Sequence, residues 1–219
     1  MKKRVISTLL TFVMALSLLP AALAQEETVP EAAALPSEPI SQSPFDDVAP
    51  NAWYHDAVLC VYDRGIMNGT KKNTLFSPET TMSRAMLMTV LARYDGVDTT
   101  GGNTWFVKGQ GWAVQSGVSN GVLPDAEVTR EQLVTMLWRY VGQPKSEESL
   151  AGFPDADHAS RYSQTALQWA VEVGILTGKK NGLLEPKSSA SRAEVAAVLM
   201  RFCELGLERP QEPETEPAE

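Results

Sequence analysis

One motif recurs three times in this 219-residue chain, and it constrains the fold more than any other feature. Gly65-Ile66-Met67-Asn68-Gly69, Gly117-Val118-Ser119-Asn120-Gly121 and Gly174-Ile175-Leu176-Thr177-Gly178 share the pattern Gly-aliphatic-x-x-Gly. Twelve residues before each first glycine stands an aromatic: Trp53, Trp105 and Tyr162. Downstream come Ser83-Arg84, Thr129-Arg130 and Ser191-Arg192, and from that arginine the copies align without a gap. Leu87, Val90, Leu91 and Tyr94 correspond to Leu133, Met136, Leu137 and Tyr140, then to Val195, Val198, Leu199 and Phe202. Arg93, Arg139 and Arg201 coincide as well. That spacing is the apolar stripe of an amphipathic helix. The segment before each glycine, such as Trp53 to Arg64 with Ala57, Val58 and Val61 on one side, also reads as helix. Gly65 and Gly174 stand where a helix end favours positive φ. Each unit is therefore helix, loop, helix, and the fold class is all-α. One unit is too small to bury its own apolar face, so three must share a core.

The second helices carry start signals. Ser191-Arg192-Ala193-Glu194 predicts a capping box, with Ser191 as cap and Glu194 returning to it, and Thr129 with Gln132 predicts the same device. Ser83 keeps the cap without the acid. The arginine at the first helical position is less easily explained, because a helix N-terminus disfavours a cation. Three such arginines suggest an anion site where guanidinium and helix amides converge on a carboxylate or phosphate. Pairing with Asp47 or Asp155, or plain solvation, is the structural alternative.

The middle copy looks trimmed. Phe45-Asp46-Asp47-Val48 and Phe153-Pro154-Asp155-Ala156 open the outer copies, and the middle one has no equivalent. Its loop from Gly121 to Arg130 spans nine residues, against 15 from Gly69 to Arg84 and 14 from Gly178 to Arg192. Gly109 and Gly111 should also weaken its first helix, by roughly 1 kcal/mol each.

The ends differ from this core. Lys2-Lys3-Arg4, the apolar run from Val5 to Leu19 and Ala22-Leu23-Ala24 read as a secretory signal peptide over 1–24, cut before Gln25. Residues 25–44 are rich in Pro, Glu and Ala, and 208–219 are acidic and Pro-rich, so both read as disordered. No later segment is apolar enough to span a bilayer. The chain carries a formal charge of -8, and removing the three signal cations takes it to -11. Residues 45–207 hold 15 Lys and Arg against 18 Asp and Glu, so the acidity lies in the tails. That balance argues against nucleic acid as a partner. The two cysteines, Cys60 and Cys203, leave a disulfide open in an exported chain.

The combination of Phe-x-Asp-Val, Trp, Gly-Ile-x-x-Gly, Phe76-Ser77-Pro78 and Ser/Thr-Arg-Ala-Glu resembles three S-layer homology repeats. The resemblance covers 45–94, a degenerate 104–141 and 153–202. It implies a pseudo-threefold helical spindle that binds secondary cell-wall polysaccharide, often through a pyruvylated amino sugar. It assigns the sugar-binding role to Arg84, Arg130 and Arg192, with Asp47 and Asp155 holding hydroxyls or orienting the arginines. Gly69 and Gly178 would allow close backbone approach, and Trp53 and Trp105 read as groove wall or core. The trimmed middle copy limits the expected number of working sites to two. The implied protein is a monomeric, non-catalytic bacterial cell-surface anchor with no cofactor and no metal.

Two other readings compete. A glycan hydrolase would need paired carboxylates, and Asp46-Asp47 or Asp155 with Asp157 are the candidates, but adjacent loop acids usually cap turns. An envelope assembly module that has lost sugar binding, recruiting a protein through the acidic tails, also fits the trimmed copy.

Overall fold

The computed structural model describes residues 43–210; the signal peptide, most of the 25–44 linker and the tail beyond Pro210 lie outside the described residues. Among the described residues six α-helices carry the fold: α1 (His55–Asp63), α2 (Arg84–Tyr94), α3 (Val107–Gln115), α4 (Arg130–Tyr140), α5 (Gln164–Glu172) and α6 (Arg192–Glu204). The described residues contain no strand, only four isolated bridges. The predicted stripe is core apart from the half-buried Tyr94: Leu87, Leu91, Leu137, Val195, Leu199 and Phe202 are fully enclosed. Ser83, Thr129 and Ser191 cap α2, α4 and α6, with complete boxes at Thr129–Gln132 and Ser191–Glu194. Gly65, Gly117 and Gly174 take φ of 68°, 73° and 76° just past α1, α3 and α5, as left-handed helix ends require.

The helices do not pair within their own units. Instead α2 packs on α3, α4 on α5, and α6 returns to α1. Backbone hydrogen bonds follow the same cycle. The Met82 amide donates to the Ala190 carbonyl, the Ala190 amide to Val128, and the Val128 amide to Met82, at 2.9–3.0 Å. Each of these buried residues lies two positions before the arginine that opens a second helix. At the other end of the same helices Tyr94, Tyr140 and Phe202 meet edge to face, with ring centroids 5.2–6.0 Å apart. The three second helices are thus closed at both ends by contacts that involve all three units.

One expectation about the middle unit changes. Gly109 is needed rather than merely tolerated, because a Cβ there would come within 2.7 Å of the Thr89 Cα; its absence lets α3 lie close on α2. The middle helix also has a buried acid where α2 and α6 have Ala85 and Ala193. The Glu131 carboxylate accepts from the Ser160 amide and hydroxyl, the Tyr162 and Ser163 hydroxyls and Lys187, at 2.7–3.0 Å. This cluster ties α4 to the start of α5. Cys60 and Cys203 are separate, half-buried thiols.

Replacing Phe202 by Ala removes one side of the aromatic triangle and should cost about 3–5 kcal/mol of stability, measurable by urea unfolding. Acid should act through Glu131. Burial opposes its charge, but Lys187, Ser160 and Tyr162 outweigh that and hold its carboxyl below the ordinary 4.5. A depressed carboxylate contributes stability that is complete above about pH 4.5 and is lost as pH falls through the folded value. The melting temperature of the wild type should therefore drop more between pH 6 and pH 3 than that of Glu131→Gln.

Candidate functional site

The three helix-start arginines project from the hydrogen-bonded ring, each toward the next unit's loop. Nε of Arg84 donates to the Val122 carbonyl at 3.0 Å, Arg130 to Leu184 at 2.8 Å, and Arg192 to Phe76 at 2.7 Å. Arg84 thus faces the short middle loop, while Arg130 faces the third loop and Arg192 the first. Arg192 also donates to the Asn68 carbonyl and lies 4.6 Å from the Phe76 ring centroid. Arg130 and Arg192 are buried, and Arg84 is half-buried.

The helix amides do not converge on an open anion site, contrary to the sequence reading. In α2 the amides of Arg84 and Ala85 donate to the carbonyls of Ala126 and Pro124. In α4 those of Arg130 and Glu131 donate to Ser188 and Pro186, and in α6 those of Arg192 and Ala193 donate to Thr80 and Pro78. The third amide of each helix goes to its capping hydroxyl. The free donors that a helix N-terminus normally presents are consumed between units, so any charge recognition falls to side chains.

The opening acids build the loops that the arginines contact. Asp47 accepts from the Phe76 and Ser77 amides at 2.7 and 2.8 Å, and Asp155 from Leu184 and Glu185 at 2.9 and 2.7 Å. Both carboxylate oxygens are therefore engaged by backbone, and each acid orients its arginine through one peptide group. Ser77, Leu123 and Glu185 all adopt positive φ at this turn. In the middle unit Asn120 stands in for the missing Asp, accepting from the Val122 amide and from Arg84. Gly69 and Gly178 serve a neighbouring contact: a Cβ at either would strike the rings of Phe45 or Phe153, at 2.5 and 2.8 Å. The close approach they permit is that of the opening phenylalanine.

Trp53 and Trp105 are not core, being 62% and 55% exposed, and Tyr162 matches them at 50%. Trp53 forms one wall of a groove of about 620 Å³ that is also lined by Arg130, Lys179, Lys180, Glu194 and Arg201. Leu176, Ala197 and Val198 contribute its apolar lining. Tyr162 lines a smaller groove of about 360 Å³ beside Arg84, Arg139 and Glu127. Each groove combines an aromatic, a helix-start arginine and a loop from three different units. In the larger groove four cations face one carboxylate, and Glu194 is already engaged by Lys179 at 3.1 Å and Arg130 at 3.7 Å. Sequence reasoning placed Lys179 and Lys180 in no site; the signal was Lys71-Lys72-Asn73 at the same place in the first loop, with no counterpart in the middle one. Among the described residues no group of His, Cys, Asp or Glu suits a metal ion, and no helix is long and apolar enough to cross a membrane.

Comparison with known proteins follows the same units. The S-layer homology domain family matches residues 44–85 and 152–196, which cover α1 into α2 and α5 into α6. An endoglucanase of Bacillus sp. (strain KSM-635) is 28% identical over 188 residues, 78% of this chain and 20% of that protein. The Surface-layer 125 kDa protein of Lysinibacillus sphaericus is 27% identical over 165 residues, 68% of this chain and 14% of that one. The chain thus spans a fifth or less of the length of these relatives. Among solved structures, an undecaheme cytochrome from the S-layer of Carboxydothermus ferrireducens aligns with 74% of this chain and 21% of its own, at 19% identity and a TM-score of 0.40. The chain carries S-layer homology sequence on two of its three helix-loop-helix units, and its location is the bacterial cell surface.

Asp155→Ala would leave the Leu184 and Glu185 amides unpaired, at a cost of about 1–3 kcal/mol each. Asp47→Ala, at a more exposed site, should cost less, and urea unfolding of the two variants side by side checks the order.

Proposed function

We propose that the protein is a non-catalytic anchor that binds an acidic secondary cell-wall polysaccharide, and that the groove between Trp53 and Arg130 is its principal site. The observation that carries this reading is the charge of that groove. Its lining sums to +3, from four cations and one acid, on a chain whose net charge is -8. Low-dielectric walls focus such a field on an anionic ligand. An exposed indole beside a cation suits a sugar that presents one apolar face and one charged group. A pyruvylated amino sugar has that chemistry, and the resemblance to S-layer homology repeats points the same way. In this reading the cyclic array of three helix pairs is the three-repeat spindle of that family, with the middle pair its degenerate member.

The grooves are unequal. Arg130 and Arg192 face the two long loops and are the arginines best placed to bind. Arg84 faces the short loop, and its guanidinium already donates to Val122, Ser119 and Asn120. Trp105 belongs with Arg192 by the same cyclic order. Of the carboxylates offered for hydrolysis, Asp47 and Asp155 each bind two backbone amides, and Asp157 is exposed beside His158.

Purified protein should sediment with wall sacculi and stay in solution once the attached polysaccharide is stripped. Arg130→Gln should weaken sedimentation roughly ten- to hundredfold, the factor for one charge-assisted hydrogen bond, and Arg84→Gln should leave it within about twofold. Retention on stripped peptidoglycan, or release of sugars from the wall, would sink the reading.

A further inference from the structure

A second arginine enters each described groove. Arg139 and Arg201 lie in the last turns of α4 and α6, nine positions after the helix-start arginines of those helices. They line the smaller and larger grooves respectively. A cation in a last turn suits the helix dipole. Any solvated lysine would satisfy that requirement, so the dipole alone does not explain a guanidinium directed into a groove beside another arginine. We propose that Arg201 is a ligand-contacting residue that forms, with Arg130, a two-guanidinium clamp for one oxyanion of the wall polymer. This rests on the anionic-polysaccharide reading above and names a residue that reading does not require.

Three observations support the clamp. Arg201 donates one hydrogen bond, to the Ile175 carbonyl at 3.2 Å, and among the described residues no carboxylate lies within ion-pair distance of it. Most of its planar fork is therefore free. The one acid in the groove is already shared: Glu194 receives the Ser191 amide, Lys179 and, at 3.7 Å, Arg130. Lys179 is likewise clasped by Glu185 at 2.6 Å. Finally, Arg130 and Arg201 repel one another. Burial is the larger force drawing the Arg130 guanidinium below its ordinary value, Glu194, Glu185 and Asp155 oppose it, and Arg201 adds to it. Two like charges held together without a bridging acid favour the arrival of an anion that satisfies both. The smaller groove has the same arginine pair, but Arg84 is spent on the middle unit's loop, so Arg139 serves as an internal comparison.

The test compares wild type, Arg201→Gln, Arg201→Lys, Arg139→Gln and Arg130→Gln for binding to an acidic wall polysaccharide. Three preparations are used: native polymer, polymer with its carboxyls reduced to alcohols, and polymer freed of phosphate with hydrofluoric acid. Gln retains donors for the Ile175 carbonyl, and thermal melts confirm folding of each variant. The clamp predicts that Arg201→Gln weakens native binding roughly ten- to hundredfold. Arg201→Lys should recover part of that loss, because charge is restored without the fork, and Arg139→Gln should bind within about twofold of wild type. The wild-type advantage over Arg201→Gln should vanish on whichever treated polymer has lost the recognised oxyanion, carboxylate or phosphate. Unchanged binding of Arg201→Gln alongside a loss in Arg130→Gln overturns the clamp and leaves the parent reading standing. An equal loss in Arg139→Gln, or an advantage that survives both treatments, also overturns it. Wild-type protein that binds none of the polymers overturns the parent reading itself.

Discussion

Three backbone hydrogen bonds set the rest of the structure. Met82, Ala190 and Val128 each donate to one neighbour and accept from the other, so none of the three bonds is local to a unit. Because each residue sits two positions before a second helix, the ring fixes where all three helices begin. It also brings the loop carbonyls of the next unit over the first two amides of each second helix, which would otherwise be orphaned donors. With those amides satisfied, the arginine at the helix start is carried across the boundary and must find its acceptor in the neighbouring loop. The grooves, their arginines and their aromatic walls are thus consequences of how the units join rather than properties of any single one.

The sequence revealed what is local and misplaced what is cyclic. Stripe, caps and left-handed helix ends depend on residues a few positions apart, and all three were legible. The assignment of arginines to loops was not, because aligning the copies suggests that each is self-contained. The short Gly121–Arg130 loop belongs to the same copy as Arg130, yet it is Arg84 that contacts this loop, and Arg130 lines the groove beside Trp53. Trp53 and Trp105 read as groove wall or core, and sequence alone does not choose between the two; both are exposed, and Trp53 lines a groove. The helix-start arginines line the grooves, but the helix amides expected to join them are spent on loop carbonyls. Arg201 coincides with Arg93 and Arg139 in the repeat alignment, but coincidence alone does not show which way a side chain points.

Charge is distributed so that the whole and the part have opposite sign. An acidic chain keeps itself soluble and repels most polyanions at a distance. At close range, within about a Debye length of 8–10 Å, the lining of the larger groove governs what can enter. Under the proposed function, that combination favours a ligand that is held near the surface by other contacts before its acidic group reaches Arg130. A repeating polymer, offering the same group again and again, meets that condition better than a free small anion.

The pairing of α6 with α1 has a consequence for how the chain reaches its native state. More than one hundred residues separate these helices, so the contact that closes the array is also its most distant in sequence. Such closures form late and slow folding. A chain delivered N-terminus first must therefore hold α1 without its partner until the last helix arrives. Its Ala57, Val58 and Val61 face stays open during that interval. The helix that appears first is among the last to be completed.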